Sequence, residues 1–229
     1  MEGYFLLVDL LGFENIVKNL DKEELAGRID EWVALAKESV EQNNLSNLLL
    51  LSDTLFIGTG NTNKDLGNLI AASKHLLNKS ILSSLPVRGA ISFGHYEWGN
   101  LVYGQAVIDA HSLESQQNWV GIACQNNLPH IESYWGSGSL ICYPVPKKSG
   151  FIQLAPVVDW DVPDMDNLMK LLSKGGLTKK DETLTHPWMD KIEKTISFSL
   201  YKKIVQKAGA SYKEFHGFSS MQTIEMNMK

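Results

Sequence analysis

At 229 residues, 44% hydrophobic and 21% charged, the chain is long enough for one core of good size with a smaller appendage, and its composition argues against bulk disorder. A net charge of −5 and a pI of about 5.7 argue against a basic stripe for a nucleic-acid backbone, although a small phosphorylated ligand stays open because metal ions neutralise it locally. Cys124 and Cys142 lack metal-binding spacing and suit a reduced, cytoplasmic setting better than a disulfide scaffold, and no stretch reaches the length of a membrane span.

Tyr4 to Asp9 is a short continuous apolar run closed by a Gly-containing turn, which suits a strand buried on both faces. The opening MEGYFLLVDLLGF has no basic start and no small-residue cleavage site, so it does not read as a signal peptide. From Phe13 to Asn43 the pattern is helical, with Asp21 as the expected N-cap of a second helix and Glu24 completing a capping box. Leu25, Ile29, Trp32, Leu35 and Ala36 recur at helical spacing and are expected to face the core. SNLLLLSDTLFIGTG reads as two strands joined by a tight turn at Ser52-Asp53. A helix over 66–82 follows, then PVRGAISFGHYEWGN as a strand with a hairpin, a helix over 105–117, and NWVGIAC as a strand. Beyond about Cys124, GSGSLICYPVPKKSGFIQLAPVVDW predicts further strands, Lys174-Gly175-Gly176 a loop, 188–207 a helix, and the residues from Gly217 a short frayed tail.

This order predicts an α+β fold with a mostly antiparallel sheet rather than a doubly wound one. If the helices after the first strand carry the chain back, the second strand runs parallel to the first, and the turn that ends it sits at the sheet edge where the first strand ended. Asp9 and Asp53 then converge. Each alone has an ordinary explanation in turn chemistry. Together they make a carboxylate pair of the kind that holds Mg²⁺ against the phosphates of a substrate. Gly12, where strand passes into helix, lets the backbone approach a ligand closely, and the amides of that turn are suited to phosphate.

Arg88 is one of two arginines and falls on a predicted core strand, where an unpaired guanidinium is unfavourable. It either pairs with a core carboxylate such as Glu114 or contacts phosphate. Arg28 reads as a solvated helix charge, Lys147 and Lys148 as a turn with a lesser prospect of phosphate contact, and His111 as a surface or core histidine. Trp98 and Tyr103 are suited to stacking on a base but more often belong to a core.

FLLVDLLGF, LLSDTLFIGTG, VRGAISFG and VYGQAVIDAHSLES resemble, in order and spacing, the core blocks of the class III nucleotidyl cyclases. The RGAI strand and the A-x-x-LE helix resemble in particular the pyrimidine cyclases of bacterial Pycsar antiphage systems. The likeness covers most of the chain, and its specificity lies in the ordered set rather than in any one motif. It implies a ferredoxin-like, palm-type cyclase domain over residues 1–125. Residues 126–229 are then a C-terminal α/β extension packed on that domain, the two forming one structural unit. By the same resemblance Asp9, Asp53 and the Leu10 carbonyl hold two Mg²⁺ or Mn²⁺ ions, and Gly12 and Phe13 form the phosphate loop. Arg88, on the reading that it contacts phosphate or the developing charge, joins the two aspartates as a catalytic residue.

The departures bear on the base. The positions at which purine cyclases place a lysine and a second polar group to read the base are Leu49 and Leu101, and their transition-state asparagine and arginine fall on Ile108 and Ser112. The expectation is therefore a uridylate cyclase, or failing that a cytidylate cyclase, with the pyrimidine read by backbone groups or Thr54, making a cyclic nucleotide as second messenger in antiviral defence. A purine cyclase and an inert nucleotide-binding module are the alternatives. The resemblance further implies a homodimer, a nucleoside triphosphate substrate, no nucleic-acid or membrane partner, and an effector encoded elsewhere that responds to the product.

Overall fold

The computed structural model describes residues 1–135, 138–174, 177, 186–207 and 226–227. The apolar run at the start forms β1 (Glu2–Leu10), and its period of two sorts the side chains onto both faces of the sheet. Tyr4, Leu6, Val8 and Leu10 enter the larger core, while Phe5 and Leu7 enter a smaller one with Tyr96, Ala106 and Ala110. That division is why the strand reads as continuously apolar: neither face meets water.

Helices α1 (Phe13–Asn19) and α2 (Lys22–Glu41) return the chain to β2 (Asn47–Leu51), which turns directly into β3 (Thr54–Gly58). Asp21 caps α2 as expected, accepting from the amides of Glu23 and Glu24. The reciprocal capping box forms instead at α3 (Asn63–Leu82), between Thr62 and Asp65. Trp32, Leu35 and Ala36 are buried, but Ile29 is exposed, because the stripe of α2 that meets α3 is narrower than the spacing implies. Arg28 is also not a free surface charge: it pairs with Glu31 and donates to the Ser84 carbonyl, tying α2 to the segment after α3.

After α3 come the long β4 (Val87–Trp98), the short β5 (Val102–Gly104), α4 (Gln105–Gln116) and β6 (Gly121–Cys124). A 3₁₀ turn (Ile131–Tyr134) leads to the hairpin β7 (Leu140–Pro146) and β8 (Phe151–Val158). Then follow α5 (Met165–Lys174), α6 (His186–Lys207) and a two-residue β9 (Met226–Asn227). The sheet order is β2-β3-β1-β4-β6-β8-β7, with β5 paired to β4 and β9 to β8. β1 is antiparallel to both β3 and β4, whereas β4 and β6 are parallel. The fold is α+β, as the element order predicts, and the β7–β8 hairpin joins the same sheet. Of the expected loop at 174–176, residues 175 and 176 lie outside the described residues, as does most of the tail from Gly217. Among the described residues no helix is long and apolar enough to cross a membrane.

Candidate active site

The end of β1 is a junction. Asp9 stands opposite Thr54 in β3 and opposite Arg88 in β4. The β2–β3 turn reverses the chain at Ser52, which takes a left-handed conformation (φ 57°), and delivers Asp53 beside β1, where its carbonyl accepts the Leu10 amide at 3.0 Å. The two aspartates predicted to converge are thus brought together by a single ladder. Burial, then repulsion from Glu114 and Asp53, pushes the Asp9 carboxyl up to about 6, against the pull of Arg88 and Lys148.

Arg88 is almost fully buried and held from several sides. Its Nε donates to Glu114 Oε1 at 2.6 Å, Nη2 pairs with the same carboxylate, and Nη1 donates to the Gln117 carbonyl at 3.1 Å. Nη2 also lies 3.8 Å from Asp9 Oδ2. The core partner anticipated for Arg88 is present, and the same guanidinium approaches Asp9 of the carboxylate pair. Gln117, which sequence reasoning passed over, is fully buried: its side chain donates to the Gly89 and Leu113 carbonyls and accepts from Trp119 Nε1. No local signal marks it, since a glutamine at a helix end is unremarkable until its surroundings are known.

Gly12 caps α1 with φ 80° and ψ 14°, a conformation that favours glycine. A side chain there would also collide with neighbours, since its Cβ would stand 2.4 Å from Leu177 Cδ2 and 2.8 Å from Trp188 Cζ2. Asn15 Nδ2 donates to the Leu177 carbonyl at 3.1 Å. The C-terminal segment therefore leans directly on the strand-to-helix turn. Phe13 is half-buried against the larger core, and Leu10 is buried.

The positions tied to base reading are more open. Leu49 on β2 is 39% exposed, Leu101 in the β4–β5 turn 68%, and Ile108 on α4 62%, with Ser112 also exposed and Thr54 half-buried. Trp98 packs with Phe5 and Tyr96, as a core residue does, whereas Tyr103 and His111 are exposed.

Cations ring the same sheet end. The tip of the β7–β8 hairpin is tied to the end of α4 and the link that follows it: the Asn118 amide donates to the Pro146 carbonyl, and the Lys148 amide to the Gln116 carbonyl. Lys147 is buried, while exposed Lys148 feels the charges of Arg88, Glu114 and Asp9. Among the described residues no group of three or more His, Cys, Asp or Glu side chains is placed to hold a metal ion. Two carboxylates, one near the end of β1 and one in the β2–β3 turn, do not make a closed protein cage. They do fit an ion that completes its shell with water and phosphate oxygens, the usual habit of Mg²⁺.

Sequence comparison finds no matching family model and no matching curated protein. Solved structures do match. The adenylyl cyclase CyaB from P. aeruginosa is 18% identical, covering 69% of this chain and 94% of that one, with a TM-score of 0.51. A bacterial light-regulated adenylyl cyclase is 14% identical, covering 76% and 97%, also with a TM-score of 0.51. The guanylate cyclase domain of RhGC from Catenaria anguillulae, in complex with GTP, is 10% identical, covering 69% and 96%, with a TM-score of 0.53. At these identities the likeness speaks for architecture, and in architecture this chain has the class III adenylyl and guanylyl cyclase fold.

Proposed function

We propose that the chain is a metal-dependent nucleotidyl cyclase acting on UTP or CTP. The observation that carries the reading is the convergence of Asp9 and Asp53 at one sheet end, beside the Gly12 turn and the buried Arg88. In the reaction the 3′-hydroxyl oxygen attacks the α-phosphorus of its own triphosphate, forming the cyclic phosphodiester. The bond from that phosphorus to the bridging oxygen breaks, and pyrophosphate leaves. Asp9, Asp53 and the Leu10 carbonyl would hold two divalent ions, Mg²⁺ or Mn²⁺, which when bound supply Lewis-acid stabilisation of the attacking and leaving oxygens. Gly12 and Phe13 offer backbone to the phosphates. Arg88 is held in place before substrate arrives, so it can oppose developing charge with little reorganisation. A guanidinium has five N–H donors, and Glu114 and Gln117 engage only part of that set.

The pyrimidine assignment rests on Leu49 and Leu101. A purine edge set against leucine leaves donors and acceptors unpaired, at about 1–3 kcal/mol for each group. A purine reading is favoured by a different observation: the matching folds are those of adenylyl and guanylyl cyclases. Incubation with all four nucleoside triphosphates and Mn²⁺, with products identified by mass, separates them. Cyclic UMP or cyclic CMP is expected. Dominant cyclic AMP or cyclic GMP would overturn the pyrimidine claim and keep the cyclase claim, while no cyclic product at all would favour an inert binding module.

The reading extends to a homodimer. Leu49, Leu51, Leu101, Tyr103 and Ile108 are exposed apolar side chains on β2, β5, α4 and the β4–β5 turn, and a second copy would cover them. Residues 126–229 then act as an extension of a catalytic domain formed by 1–125. A role in antiviral signalling through a separate effector follows from the sequence resemblance and belongs to the same proposal.

A further inference from the structure

We propose that α6 supplies Lys191 as a contact to the polyphosphate of the nucleotide, so that the C-terminal extension forms part of the substrate site. This rests on the cyclase reading of the Asp9–Asp53 end of the sheet.

The geometry begins with two anchors on α6. Trp188 packs against the Gly12 turn, close enough that a Cβ at Gly12 would meet its ring at 2.8 Å. Asp190 accepts from Asn118 Nδ2 at 2.7 Å, and Asn118 follows Gln117, whose carbonyl takes a hydrogen bond from Arg88. Lys194, one helical turn on, pairs with the same Asp190 at 2.7 Å. The first turns of α6 are therefore fixed to the phosphate turn on one side and to the Arg88 network on the other. Lys191 is one residue after Asp190 and three after Trp188, and its Nζ lies 5.6 Å from the centre of the Trp188 ring.

Electrostatics agree with that placement. Burial lowers the proton affinity of Lys191, and repulsion from Arg88 and Lys148 lowers it further, against the pull of Asp190. Lys148 in turn feels both Arg88 and Asp9. Three cations from β4, the β7–β8 hairpin and α6 thus gather at one end of a chain whose net charge is −5. Like charges brought together repel, and a polyanion beside them removes the penalty. The division of labour is chemical: carboxylates suit metal ions, and ammonium and guanidinium groups suit phosphate oxygens.

The test uses inorganic tripolyphosphate with Mg²⁺ as the probe, titrated calorimetrically into the full chain. Lys191→Met keeps much of the aliphatic stem on Trp188 and removes the charge, and binding is expected to weaken roughly tenfold or more. Lys191→Arg should restore most of the affinity. Lys203→Met, at an exposed position on the same helix, controls for net charge and should change affinity less than about twofold. Lys191→Gln serves as the second neutral variant if Lys191→Met fails to fold by circular dichroism. Wild-type affinity in a folded neutral variant overturns the proposal. If Asp53→Asn weakens binding in the same series, the site reading survives that failure. If Asp53→Asn binds as wild type, or the wild-type chain does not bind the probe, the site reading falls and this proposal falls with it.

Discussion

Arg88 and Glu114 form a buried ion pair across 26 positions of sequence, and the same guanidinium reaches to within 3.8 Å of Asp9. One side chain thus joins the core of the protein to the carboxylate pair. A charge held this way is rigid, and removing it leaves another charge buried without its partner.

Arg88→Ala should destabilise the chain by about 3–5 kcal/mol, because Glu114 is left alone in the core. Arg88→Lys keeps the charge but cannot reproduce the fork that engages Glu114 and the Gln117 carbonyl together. It should fold with a smaller loss and turn over far more slowly. Thermal melting and product formation, measured on the same preparation, separate the two effects. Full activity per folded molecule in Arg88→Lys would assign Arg88 to structure alone.

Asp53→Asn should leave melting nearly unchanged and abolish turnover. The side chain belongs to a surface turn, so little packing is lost, while a neutral amide binds Mg²⁺ or Mn²⁺ poorly. Turnover at the wild-type rate would end the metal-site reading.

Gly12→Ala should destabilise by about 1–3 kcal/mol through its left-handed backbone alone. The added methyl also meets Leu177 and Trp188, so the C-terminal segment must shift. Trp fluorescence and limited proteolysis should report a loosened α6. A variant as stable as wild type, with unchanged fluorescence, would show that the contact at Gly12 is not maintained in solution.

Metal affinity should fall as pH drops through about 6, the value to which the Asp9 carboxyl is pushed. Protons and metal compete for that oxygen, so affinity should weaken about tenfold per pH unit below this point if a single proton is involved. Without metal the sign for stability is the opposite. The folded value lies above the ordinary 3.8, so the native chain binds the proton more tightly than the unfolded one, and this contribution to stability is lost as pH rises from about 4 through about 6. Calorimetric Mn²⁺ titrations at several pH values check the first claim, and Asp9→Asn should weaken Mn²⁺ binding at every pH.

Leu49→Lys combined with Leu101→Asp should move the product towards a purine cyclic nucleotide by supplying a donor and an acceptor for the purine edge. Both positions are exposed in the single chain, so the stability of the monomer fold should change by no more than about 0.5 kcal/mol for each. Product ratios from an equimolar mixture of four nucleotides read the outcome. An unchanged ratio would mean that these two positions do not meet the base.

The sequence by itself determined the order of elements as far as Cys124, the strand of Tyr4 to Asp9, the reversal at Ser52-Asp53 and, through topology, the meeting of Asp9 with Asp53, but not the helix α5 that ends at Lys174. Those features follow from short-range patterns: side-chain period, turn chemistry and the direction in which each element must run. Only the tertiary structure decided that Ile29 stays exposed, that Gln117 braces Arg88, and that Leu177 and Trp188 rest on Gly12. These contacts join residues distant in the chain, and their selection depends on which surfaces remain to be covered once the sheet has formed. Local propensity carries no record of that choice, because burial and close packing are properties of the assembled core.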